Sequence, residues 1–220
     1  PFLIDVFGVL APPLKYRSRK GFVTQNGIRV LAKSKGQQVR GLIHGQYRPS
    51  LILCDDIESL DGTLTPEQRN KTRDWFFKDV LKCGQVDGST NFTVIGTCLH
   101  PESLLSELLQ SPGWKSRKYQ AVERFSDNEV LWESWKGIYT DLSNPNRQEE
   151  AQAFFNTNQD AMLVGTQILW PQGETYYQLM QMRINEGQAS FYSEKQNEPL
   201  DPERQLFDMS QAKRFRISDE

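Results

Sequence analysis

The chain has 220 residues, with 26 Lys and Arg against 28 Asp and Glu, a formal net charge of −2. That length suits one ordinary domain or one and a half small ones, and the near-balance of charge excludes a wholly basic nucleic-acid coat but not a local basic patch. A hydrophobic share of 37% with 12 Phe, 7 Tyr and 5 Trp argues against general disorder, and no apolar run approaches the roughly 18 residues of a membrane span.

The first residues, Pro1-Phe2-Leu3-Ile4-Asp5, carry no basic stretch before an apolar run, so a signal peptide is not expected there. They read as the middle of a longer chain. Pro12-Pro13 opens a loop with Lys15, Arg17, Arg19 and Lys20, suited either to phosphate contacts or to a solvated surface. Residues 21–25 and 28–32 flank Asn26-Gly27, which predicts a hairpin with a two-residue turn. A glycine-containing loop, residues 36–49, leads to Ser50-Leu51-Ile52-Leu53-Cys54, an uninterrupted apolar strand expected to be buried on both faces. Thr65-Pro66-Glu67-Gln68 predicts a capped helix start, with Trp75, Phe76, Val80 and Leu81 on its apolar face and Gly84 at its end. Residues 91–97 form the next strand. Pro101 starts a leucine helix carrying Leu104, Leu105, Leu108 and Leu109, and Tyr119-Gln120-Ala121-Val122 is a candidate third strand.

The order strand, helix, strand, helix, strand is that of an α/β fold. Beyond Ser126 the pattern turns helical, at 149–163, 176–186 and 189–195, with no clear strand, and the charged stretch after Pro199 reads as a linker.

Chemistry concentrates after the apolar strand. Asp55-Asp56 follows it directly, as a Walker B element requires: a strand carries one acid to the sheet's carboxyl edge to hold Mg²⁺, and the next acid orients or deprotonates a water. Glu58 lies two residues further on. The same pattern also fits a solvated strand end or a helix cap. The next strand ends in Gly96-Thr97, where a small hydroxyl residue suits a γ-phosphate sensor or a plain strand exit. The phosphate-cradling GxxxxGK[ST] loop is absent, because the sequence contains no Gly-Lys dipeptide.

The ordered series resembles the large terminase subunit of tailed bacteriophages. It runs through Phe22–Gly27, Gly36–Gly41, Tyr47–Glu58, Arg69–Phe76, Val94–His100 and Phe191–Pro199, covering roughly residues 20–210. The resemblance implies the C-terminal half of a RecA-like (ASCE) P-loop ATPase sheet flanked by helices at 1–125. A helical subdomain at 126–200 and a linker at 201–220 toward a nuclease domain would follow. It implies ATP hydrolysis with Mg²⁺, coupled to movement of double-stranded DNA into a procapsid. The implied partners are the terminase small subunit, the portal protein and further copies in a homo-oligomeric ring, in the host cytoplasm at the portal vertex and outside the finished virion. Asp55 becomes the metal acid, Asp56 the water-activating acid where a Glu is usual, Glu58 its possible helper, and Gly96-Thr97 the coupling motif. Walker A and the nuclease carboxylates are not in this sequence, so the isolated chain is expected to be inactive.

Arg40, in a Gly-flanked loop, suits either a phosphate contact of the arginine-finger kind or pairing with a nearby acid. His100 suits capping or packing better than nucleotide contact, and His44 has no evident partner. Cys54 and Cys98 end strands expected to be neighbours and read as core. Three scattered cysteines and two histidines make neither a disulfide framework nor a zinc set, and a reducing compartment is the expectation. Trp132, Trp135 and Trp170 suit a helical core or base stacking. Two alternatives stand beside the motor: a two-metal endonuclease built on Asp55, Asp56 and Glu58, and a non-enzymatic docking scaffold.

Overall fold

The computed structural model describes Ser18 and residues 20–199. Lys15, Arg17 and Arg19 of the basic loop, and the expected linker at 201–220, lie outside the described residues. The chain is mixed α/β and falls into two compact units that meet in sequence between Gly96 and Thr97. No helix among the described residues is long and apolar enough to cross a membrane.

In the first unit, β1 (Gly21–Val23) and β2 (Arg29–Leu31) form the expected antiparallel hairpin. Its loop differs from the expected two-residue turn. Gly27 is left-handed, at φ 84°, but Asn26 is not, and the ladder closes earlier, with Thr24 N donating to Ile28 O at 2.8 Å. The Thr24 hydroxyl accepts the Ile28 N–H at 2.9 Å. This side-chain bond favours a three-residue loop whose only left-handed residue is a glycine.

Strands β3 (Leu51–Asp55) and β4 (Asn91–Ile95) pair in parallel, residue for residue, from Leu51 opposite Asn91 to Asp55 opposite Ile95. Thr90 sets the start of this register: its hydroxyl donates to Pro49 O at 2.7 Å and accepts from Gln85 N at 2.8 Å. The connection between them carries α1 (Pro66–Trp75), opened by the predicted capping box of Thr65 and Gln68. The helix continues as a π-helical turn (Phe76–Val80) and a 3₁₀ turn (Leu81–Cys83) before Gly84. Phe76 and Val80 are buried, as their spacing implies. Gly84 lies close to the sheet: a Cβ there would come within 2.9 Å of the Phe92 ring and force it to shift.

Burial of β3 on both faces, expected from its apolar run, is not found. Cys54 faces inward, whereas Leu51 and Leu53 are 60% and 59% exposed and Ile95 on β4 is 54% exposed. The sheet has two strands among the described residues, and the turns that end α1 pack on one face of it, so alternate side chains face outward.

In the second unit, α2 (Leu104–Gln110) is capped by Ser103, so Pro101 lies in the preceding turn rather than in the helix. The candidate third strand at 119–122 is displaced: the observed β5 (Val122–Arg124) shares only Val122 with it. β5 pairs antiparallel with β6 (Gln167–Ile168), forming a separate sheet rather than extending β3–β4. Its partner β6 lies in the region expected to lack strands; two residues are too short to leave a periodic signal. Helices α3 (Glu129–Thr140), α4 (Arg147–Met162), α5 (Tyr176–Asn185) and α6 (Gln188–Glu194) complete the unit.

Its core is aromatic. Trp135 is 1% exposed, stacks on Tyr139 at 4.9 Å and meets Tyr177 edge-on at 5.4 Å. Trp132 donates its Nε1–H to Met162 O at 2.8 Å, so both tryptophans are structural in this unit. Gln196, 2% exposed, acts as a third strand partner for β5: it accepts from Val122 N and donates to Val122 O, both at 2.9 Å. Gln196→Leu keeps the volume but strands two buried backbone groups. It should lower stability by about 2–4 kcal/mol, read as a fall in the urea midpoint with m unchanged.

Candidate functional site

The site is built where β3 ends. Asp55 lies opposite Ile95, and Asp56 N donates to Ile95 O at 3.0 Å, extending the parallel ladder by one bond past the strand. Asp56 then turns the chain through the left-handed region, at φ 44°. Aspartate tolerates that conformation better than most residues, and a non-glycine held there marks a constrained position. Both aspartates are exposed, so their carboxylates meet solvent at the carboxyl edge of the parallel pair.

Glu58 is different. It is buried, and its charge acts on Lys35. Burial pulls the Lys35 ammonium below its ordinary value, the Glu58 charge opposes that fall, and Lys71 adds to it. Lys35 Nζ donates to the Thr72 hydroxyl, which in turn donates to Gln68 O at 3.1 Å. Nearby in the chain, the buried Arg69 donates through Nη1 to Thr63 O at 2.8 Å. The Arg69 bond ties the loop after the aspartates to the first turns of α1, and the Lys35 bond ties the segment before β3 to the same helix. Glu58 therefore belongs to the buried footing of the loop, and the exposed edge is left to Asp55 and Asp56.

Gly96 ends the first unit and Thr97 opens the second; both are half-buried. Cys98, the residue after Thr97, has both backbone polar groups held from the far end of the second unit. Its N–H donates to Asn197 Oδ1 at 3.0 Å, and its carbonyl accepts from Ser193 Oγ at 3.3 Å. These two partners carried no chemical signal in the sequence. The one local trace was an Asn, the residue type besides glycine most tolerant of the left-handed region, and Asn197 is left-handed at φ 50°.

Arg40 is placed on the helix-connected segment: its Nε lies 2.7 Å from Asp79 Oδ1, and the guanidinium also donates to Lys78 O. Of its two sequence readings, the structure displays the pairing with a nearby acid. His100 Nδ1 accepts from Glu102 N at 3.0 Å in the turn before α2, a capping arrangement. Cys54 and Cys83 are buried in the first unit and Cys98 in the second. Burial pushes both the Cys54 and Cys83 thiols up; Cys83 raises Cys54 further, and Asp79 raises Cys83 while the Arg48 and Arg40 charges oppose it. Trp170, 64% exposed, lies over Gly173.

Among the described residues, no three His, Cys, Asp or Glu side chains converge as a metal cluster. The three-carboxylate site of a two-metal nuclease is therefore not assembled by Asp55, Asp56 and Glu58. Mg²⁺ generally retains several waters and needs only one or two carboxylates beside phosphate oxygens. Asp55 and Asp56 are the two exposed carboxylates at this edge. The Gly-Lys cradle for the triphosphate is missing from this sequence. No family model matches the chain, and no curated protein matches it.

Two outcomes test this geometry. Asp56→Gly should leave stability near wild type, while Asp56→Val should cost about 1–2 kcal/mol through its left-handed backbone, measured by urea unfolding. Cys54 and Cys83 should resist iodoacetamide at neutral pH in the folded protein and react after unfolding, because burial blocks access and suppresses the thiolate; peptide mass mapping reads the difference.

Proposed function

We propose that the chain is the acidic half of the ATPase site of a terminase large subunit, the motor that drives phage DNA into a procapsid. The observation that carries this reading is the in-register parallel pairing of β3 and β4. It sets Asp55 opposite Ile95 and hydrogen-bonds Asp56 to Ile95 O, one residue before Gly96-Thr97. Parallel strands of α/β folds gather ligands at that carboxyl edge.

In this reading Asp55 holds Mg²⁺ through its exposed carboxylate. Asp56, fixed by its backbone bond and left-handed turn, orients the attacking water. Glu58 secures the loop from below. Gly96-Thr97 carries the state of the site onward in the chain. The β3–β4 pair is then part of a RecA-like sheet, the triphosphate cradle comes from another segment of the same subunit, and the open face bearing Leu51, Leu53 and Ile95 is covered by further strands and helices. The partners that follow are double-stranded DNA, the small subunit, the portal protein and further copies in a ring.

The test is DNA-stimulated ATP turnover with Mg²⁺ by the full-length subunit. Asp55→Asn and Asp56→Asn should each reduce it by about 100-fold or more, while Glu58→Gln should act mainly on stability. Wild-type turnover in the Asp56→Asn protein removes that residue from the chemistry, and wild-type turnover in both Asp variants overturns the site.

A further inference from the structure

We infer that Asn197, with Ser193, is a coupling residue: the pair grips the peptide immediately after Gly96-Thr97 and passes its movement to the C-terminal end of the helical unit. The inference rests on the ATPase reading above and adds the connection through which that site would act.

The geometry is specific. Cys98 is buried, so its backbone N–H and C=O need partners within the protein. Asn197 Oδ1 takes the N–H at 3.0 Å and Ser193 Oγ donates to the carbonyl at 3.3 Å. The other end of the Asn197 amide donates through Nδ2 to Tyr119 O at 2.9 Å, just before β5. The preceding residue, Gln196, clamps Val122 on both sides, and Lys195 O accepts from Ala121 N at 2.8 Å. Glu198 pairs with Lys118 at 2.6 Å. Four consecutive residues, 195–198, thus bind the 118–122 segment, and one of them also reaches back to Cys98. Asn197 can do both because its left-handed backbone turns its side chain out of the line taken by its neighbours.

A displaced Cys98 peptide would lose two buried hydrogen bonds unless Asn197 and Ser193 moved with it. The cost of breaking them is what makes the connection stiff. Sequence separation hides the link, since Asn197 stands 99 residues from Cys98.

The experiment uses the full-length subunit with Asn197→Gly, Asn197→Asp and Ser193→Ala. Glycine keeps the left-handed backbone without strain but removes both amide bonds. Aspartate keeps an acceptor for Cys98 N–H but loses the Nδ2–H donor to Tyr119 O. Two quantities are read: DNA-stimulated ATP turnover, and the length of DNA moved per ATP consumed. Asn197→Gly is expected to keep turnover within about two-fold while DNA moved per ATP falls about three- to ten-fold, and Asn197→Asp, which loses the Tyr119 bond but keeps the Cys98 bond, to fall by about two-fold or less. Ser193→Ala should fall between them. Amide exchange at Cys98 should speed up about ten-fold in the glycine variant alone of the two Asn197 changes. An unchanged DNA-to-ATP ratio in Asn197→Gly, or equal loss in the glycine and aspartate variants, overturns the coupling role. A wild-type subunit that turns over no ATP overturns the ATPase reading instead, and is recognised before any variant is compared.

Discussion

Everything proposed for the first unit depends on one register. Parallel pairing of β3 with β4 is the constraint that turns two separate strand ends into a common edge. Asp55 stands opposite Ile95 because Leu51 stands opposite Asn91, and that start is fixed by the Thr90 hydroxyl bridging Pro49 O and Gln85 N. A slip of one residue would exchange the two faces. It would bring Leu51 and Leu53 inward, turn Cys54 out, and move the Asp56 N–H away from Ile95 O. The acidic edge is thus a consequence of pairing, and the turn at Asp56 only completes it.

The three carboxylates near that edge show how strongly burial divides like residues. Asp55 and Asp56 leave the strand into solvent and keep the freedom to meet a hydrated cation. Glu58, two residues later, is folded under the loop within reach of the Lys35 charge. Desolvating a carboxylate is tolerable where opposite charge and hydrogen bonds replace water. A group so engaged supports the loop and is poorly placed to serve a substrate. The chemical similarity of Asp and Glu hides this division completely at the level of sequence.

The second unit is held by a different principle. Its aromatic core, centred on Trp135, Tyr139 and Tyr177, supplies non-directional burial, while residues 195–198 supply directional bonds to the 118–122 segment. β5 and β6 are too short to satisfy their own backbone, so the Gln196 amide completes the ladder. The same run of side chains extends to Cys98, which is why a segment that reads as a simple exit from the helical region turns out to organise it.

Local signals were legible wherever the responsible residues are close in sequence. The Thr65–Gln68 capping box, the α1 face of Phe76 and Val80, the hairpin around Gly27 and the α/β order all follow from spacing within a few residues. The pairing of the aspartate-bearing strand with the strand leading to Gly96-Thr97 was expected from the order of elements, not from local spacing, and is found. The exposure of Leu51 and Leu53, the sinking of Glu58, the capture of Arg40 by Asp79, the β5–β6 pair and the Asn197 grip on Cys98 were settled only by the tertiary structure. An apolar run shows that a strand can be buried, but not how many layers cover it, and a polar side chain shows what it can bond, but not which distant backbone group will lack a partner. Those outcomes depend on contacts between segments dozens of residues apart, for which sequence periodicity carries no information.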